Sequence, residues 1–113
     1  MSERLPASLE VAALRRRVEA AGGHAMLLHK GDDRAGILLL LLLERGRVMQ
    51  LLERQPSVSG AYRWAPTGPS ENGDDVAFSA YIAKRRRVDP DLWALELDSD
   101  DAAALAAALI ADS

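Results

Sequence analysis

The stretch Gly36-Ile37-Leu38-Leu39-Leu40-Leu41-Leu42-Leu43-Glu44-Arg45-Gly46 decides the fold. From Ile37 to Leu43 no polar residue interrupts the run. Side chains alternate across a strand, so a strand with this sequence must be covered on both faces. A helix competes, because leucine favours helices. The short length and the flanking glycines favour the strand. A central, two-sided buried strand is therefore expected, with Leu40 at its middle.

Upstream, Gly31-Asp32-Asp33-Arg34-Ala35-Gly36 is turn chemistry. Before it, His24 to His29 reads as a first strand, rich in Met26, Leu27 and Leu28. Gly22-Gly23 ends a preceding helix in which Val11, Leu14, Val18 and Ala21 recur at helical spacing. Pro6 suits the first turn of that helix, and Ser8 is a capping residue. At about 100° per residue, Arg16 lies almost opposite the apolar stripe, with Arg15 and Arg17 on its flanks.

Downstream, Gly46 turns the chain and Arg47 to Arg54 forms a third strand. Pro56 and Gly60 bracket a turn, and Ala61 to Ala65 is a short fourth strand carrying Tyr62 and Trp64. Pro66 to Asp75 is the clearest loop and is expected to be mobile. Asp74 or Asp75 can cap a helix to about Arg87, whose apolar face is Phe78, Tyr81 and Ile82. Pro90 forces Asp89 toward extended geometry, so that helix stops before it. Leu92 to Leu97 is a fifth strand. Asp98 and Asp101 open an alanine-rich final helix over Ala102 to Ala111. The order is α-β-β-β-β-α-β-α. It predicts an α+β fold, an antiparallel β-meander of about five strands with three helices packed on one face or at an end.

The 113 residues fit one domain, 1–113. Hydrophobic residues at 49% and charged residues at 27% argue against wholesale disorder. The chain has no cysteine, which excludes disulfides and thiolate metal sites. Fourteen basic and 17 acidic side chains give a net charge of −3, against a dedicated nucleic-acid binder. Met1 to Pro6 carries no apolar signal region, and no apolar run approaches the ~20 residues of a membrane span. A cytoplasmic location without membrane contact is expected.

Candidate chemistry is sparse. His24 and His29 are five apart on a strand, so they point to opposite faces unless a bulge intervenes, and no metal is expected. No phosphate-binding glycine loop and no nucleophile elbow occurs, and the serines lie in caps, loops or a helix. Lys84-Arg85-Arg86-Arg87 suits a helix C-terminus, with Asp89 and Asp91 close behind. Arg85 departs from that picture. It falls at the angle of Phe78 and Ile82, on the core face. It either lays its stem over the sheet or reaches a buried carboxylate or a ligand anion. Trp64 and Trp93 read first as core packing and second as walls of a shallow site.

Gly22-Gly23, Lys30-Gly31-Asp32, Ala35-Gly36, Leu52-Glu53-Arg54, Tyr62-Arg63-Trp64 and Asp89-Pro90-Asp91-Leu92-Trp93 occur in this order. Together they resemble the bacterial domain-of-unknown-function family numbered 1491, over roughly residues 4 to 105. The Asp89 to Trp93 block is the most specific part. The resemblance implies a bacterial cytoplasmic α+β protein and assigns no activity, cofactor or catalytic residue.

The leading functional expectation is a non-catalytic binding or interaction module without a cofactor, with a homodimer as one form of assembly. Two alternatives stand beside it. One is a small enzyme holding an anionic small molecule. The other is weak nucleic-acid contact through Arg15 to Arg17 and Lys84 to Arg87, without sequence specificity. The expected ligand site is the meeting point of Arg63, Trp64, Arg85, Asp91 and Trp93. Its bland counterpart is an Arg85–Asp91 clamp tying helix to sheet.

Overall fold

The leucine run forms a strand with both faces covered. In a computed structural model, which describes residues 6–34, 37–56, 62–69 and 74–111, it spans Leu38–Glu44 (β2). Leu38, Leu40 and Leu42 enter one apolar cluster, while Leu39 and Leu41 enter another. The remaining strands are His24–His29 (β1), Arg47–Pro56 (β3), Tyr62–Pro66 (β4) and Trp93–Asp98 (β5). The helices are Ala7–Ala20 (α1), Asp75–Val88 (α2) and Ala102–Ala111 (α3). Type and order follow the expectation from sequence throughout. The turn residues Ala35 and Gly36, and those around Gly60, lie outside the described residues.

The sheet runs β1-β5-β2-β3-β4. Only β2, β3 and β4 form an antiparallel meander. Strand β5 enters between β1 and β2, parallel to β2 and antiparallel to β1. The meander expected over all five strands is thus interrupted, because α2 carries the chain across the sheet before β5 begins. The helices also do not share one face. Residues of α1 and α3 build the cluster with Leu40, and Phe78 and Ile82 of α2 build the one with Leu39. A strand that is apolar on both faces requires this two-sided cover.

Local chemistry sets the boundaries. Arg45 and Gly46 both take positive φ, 52° and 80°, the geometry of a tight hairpin turn between β2 and β3. Asp74 caps α2 by accepting from the Ala77 N–H at 2.8 Å. Two expected caps are replaced. Ser8 lies inside α1, where its N–H and hydroxyl donate to the Asp33 carboxylate at 2.7 and 3.0 Å. The cap thus comes from the β1–β2 connection. Asp98 ends β5 and accepts from the Gly46 N–H at 3.0 Å, so it ties down the hairpin turn and does not open α3.

A bulge between Leu27 and His29 alters the reading of the histidines. His24 pairs with Asp98 and His29 with Ala94, which puts both rings on the α2 side. They do not face opposite ways as a regular strand would require. They remain about 13 Å apart along the sheet, four residue rises on β5. The His29 Nε2 donates to the Pro90 carbonyl at 2.9 Å.

The segments Lys30-Gly31-Asp32 and Asp89 to Trp93 meet in space. The Asp32 N–H donates to the Asp91 carbonyl at 2.8 Å. A Cβ on Gly31 would run into the backbone carbonyl oxygens of Asp91 and Leu92. Only glycine permits this approach. Gly31→Ala is expected to cost about 2 kcal/mol, the scale of a forced backbone shift, read as a lower denaturation midpoint.

A candidate binding cleft beside a buried arginine

Strand β3 places Glu53 and Arg54 side by side, so they point to opposite faces. Both are buried, at 6% and 1% exposure.

On the α2 face, Glu53 receives a two-pronged pair from Arg85. The Nη1 donates to Oε1 at 2.6 Å and the Nη2 to Oε2 at 3.1 Å. Arg85 Nη1 also donates to the Tyr81 hydroxyl at 3.0 Å, which in turn lies 2.9 Å from the Thr67 hydroxyl. Burial alone would push the Glu53 carboxyl up. The hydrogen bond and charge of Arg85 outweigh it and hold Glu53 below the ordinary carboxylate range. The Glu53 hydrogen bond likewise raises Arg85, against its own desolvation. The network also fastens the start of the loop after β4, where the Thr67 N–H donates to the Leu51 carbonyl at 3.0 Å. The loop expected to be mobile is therefore anchored at Thr67 and Gly68, and residues 70–73 lie outside the described residues.

On the other face, the Arg54 guanidinium sits 3.8 Å from the centre of the Tyr62 ring, a cation–π contact. Burial pushes Arg54 down from its ordinary value, while Tyr62 and Glu10 act in the opposite direction. Next to this stack opens a cleft of about 290 Å³. Glu10, Ala13, Leu14 and Arg17 of α1 form one wall, Tyr62 and Trp64 of β4 another, and Leu109 of α3 the end. A second cleft of about 290 Å³ lies beside α3 and is lined mainly by Leu42, Met49 and alanines, with Gln50 as its polar side chain.

The five residues expected to form one site do not converge. Trp64 and Trp93 are buried on the same face and in one cross-strand row, Trp93-Leu38-Arg54-Trp64. Three strand spacings, about 14 Å, separate them. Arg85 stands on the opposite face. Arg63 is exposed on edge strand β4, and Asp91 is exposed in the turn before β5. The carboxylate that clamps Arg85 is Glu53, in place of the expected Asp91. Of the five, only Trp64 lines the cleft beside Arg54. Sequence reasoning passed over Glu53, Arg54, Glu10 and Arg17 as residues of the ligand site. The available signal was an acid and a base inside an apolar strand, with Arg85 on a core-facing helix angle.

Glu96 of β5 is half-buried, and its carboxyl is raised by desolvation first and then by Asp98 and Asp75. A raised folded-state value means that stability is full below the unfolded value and is lost as pH rises. Glu96→Gln is therefore expected to raise the melting temperature at pH 7 by about 2 °C, with the gain vanishing in acid. Melting curves across pH check it.

A three-helix, five-strand α+β protein with this cleft matches a family whose members carry no assigned activity. The chain belongs to the family described as "Protein of unknown function (DUF1491)", whose model matches residues 5–107. It is similar to a DUF1491 family protein from Caulobacter crescentus CB15, solved by crystallography and by NMR. The crystal structure is 31% identical with a TM-score of 0.74, over 87% of this chain and 91% of that one. The NMR structure is 31% identical with a TM-score of 0.75, over 89% and 91%. The solution structure of protein Atu0922 from A. tumefaciens is 30% identical, with a TM-score of 0.71 over 87% and 88%. No curated protein matches.

Proposed function

We propose that the protein is a non-catalytic, cytoplasmic binding module whose ligand site is the cleft between α1 and Tyr62-Trp64. The observation that carries this reading is the lining. Two aromatic side chains stand with one carboxylate, Glu10, and one guanidinium, Arg17. That set supports stacking and ion pairing. Among the described residues that line it there is no serine, cysteine, histidine or lysine, and Glu10 and Tyr62 are its only groups capable of proton transfer. The ligand is a small molecule with a planar body and a charged group. Two further facts support the reading. The runs Arg15–Arg17 and Lys84–Arg87 lie on helices covering opposite faces of the sheet, which favours a partner other than nucleic acid. Among the described residues no helix is long and apolar enough to cross a membrane.

The test uses Trp93→Phe, which leaves Trp64 as the reporter. That change also removes an indole N–H with no hydrogen-bond partner among the described residues. Benzoate, benzamidine and phenylalanine serve as a planar anion, a planar cation and a zwitterion. At least one is expected to quench Trp64 saturably below about 10 mM, a weak but specific affinity. Amide shifts should centre on Arg17, Tyr62 and Trp64. Absence of a saturable response to all three refutes the site. Chemical conversion of a bound probe would favour an enzyme.

A further inference from the structure

We infer that β1 is a docking edge for a second copy of this chain, joined by antiparallel β1–β1 pairing about a two-fold axis at Met26. The inference is independent of the cleft.

Strand β1 ends the sheet, so among the described residues its outer backbone groups have no strand partner. Sheet edges are ordinarily blunted by charge, proline or cover. The other edge strand, β4, carries Arg63 and ends at Pro66. Strand β1, His-Ala-Met-Leu-Leu-His, contains no lysine, acid, proline or glycine. Two of its four apolar side chains are also exposed, one on each face. Met26 is 55% exposed on the α2 side and Leu27 36% exposed on the α1 side.

A second copy fits this edge better than an arbitrary strand does. Antiparallel pairing about a two-fold axis normal to the sheet sets residues of the same parity opposite each other. Centred on Met26, it places Met26 against Met26, Ala25 against Leu27 and His24 against Leu28. Every directly opposed pair gains an apolar partner, and no like charges meet. The bulge at Leu28 ends the regular register there, which limits pairing to the uncharged centre.

The helix layer agrees. Helix α1 packs over β1 and β5. Joining two β1 edges sets the two α1 helices about 10 Å apart, two strand spacings, which is ordinary helix-packing distance. The buried stripe of α1 is Ala7, Val11, Leu14 and Val18, and its cleft side is Glu10, Ala13 and Arg17. The side turned to the seam therefore carries Ser8, Ala12, Arg15 and Glu19, small at its middle and of both charges toward one end.

The chain has no cysteine, so Met26→Cys introduces a single thiol on the proposed axis. Paired Cα atoms there would lie about 4.5–5.5 Å apart, within disulfide reach. Oxidation of the full chain is compared with Arg63→Cys, at an exposed site on the opposite edge strand β4. Covalent dimer should form about a hundredfold faster at position 26, because pairing replaces encounter at about 10 micromolar with millimolar effective concentration. Wild type should sediment at twice the 12.2 kDa chain mass, and Met26→Lys at the chain mass with its circular dichroism spectrum unchanged. Equal oxidation rates, a wild type that stays at chain mass at millimolar concentration, or a dimer that persists in Met26→Lys overturns the inference.

Discussion

Leu40→Asp should leave the chain without a cooperative thermal transition. Leu40 is fully buried in the central strand, opposite Leu52 on one side and Leu95 on the other. The cation on that face, Arg54, stands two residues along β3 from Leu52 and is stacked on the Tyr62 ring, so an introduced carboxylate gains a partner only by pulling it out of that stack. The cost combines a lost leucine side chain with an unpaired buried charge, together about 5 kcal/mol or more. That equals the low end of a small domain's whole stability. A melting curve within a degree or two of wild type would refute the two-sided burial of β2.

Arg85→Ala should lower stability by about 3 kcal/mol at neutral pH, because it strands the buried Glu53 carboxylate. The pH profile distinguishes this cause from simple loss of packing. In wild type Glu53 titrates below its unfolded value. Its contribution is present above that unfolded value and is lost as pH falls through the folded one. In Arg85→Ala, burial without a partner raises Glu53, so the penalty grows as pH rises and disappears in acid. The difference between the two proteins is thus largest near pH 7 and shrinks toward pH 4. Denaturation midpoints across that range measure it. A pH-independent difference would mean that Arg85 acts only through its aliphatic stem.

What the sequence disclosed, and what it concealed, follows from the range of each interaction. Element types and limits rest on neighbours a few residues apart. The Ile37–Leu43 run, the Asp74 cap and the stop before Pro90 were all legible for that reason. Strand order was not. The β5 pattern allows either parallel or antiparallel neighbours, and nothing local to residues 93–98 says that it will part β1 from β2. The bulge at Leu28 escaped because it changes parity without any marker residue. The partner of Arg85 escaped because Glu53 is 32 residues away, while Asp89 and Asp91 lie close by in sequence. Trp64 was legible as an aromatic wall. Its neighbours in the cleft, Glu10 and Arg17, come from a helix at the far end of the chain.

The position of β5 also bears on how the protein is made. The strand between β1 and β2 leaves the ribosome after the other four strands of the sheet. Until it arrives, the leucine-rich β2 can pair with β3 but has its other edge bare. At ordinary synthesis rates the 54 residues from Glu44 to Asp98 take roughly 3 to 10 s. For that interval the nascent chain displays a long apolar edge of the kind that aggregates or recruits chaperones. Emergence of residues 93–98 ends the exposure by joining the two halves of the sheet.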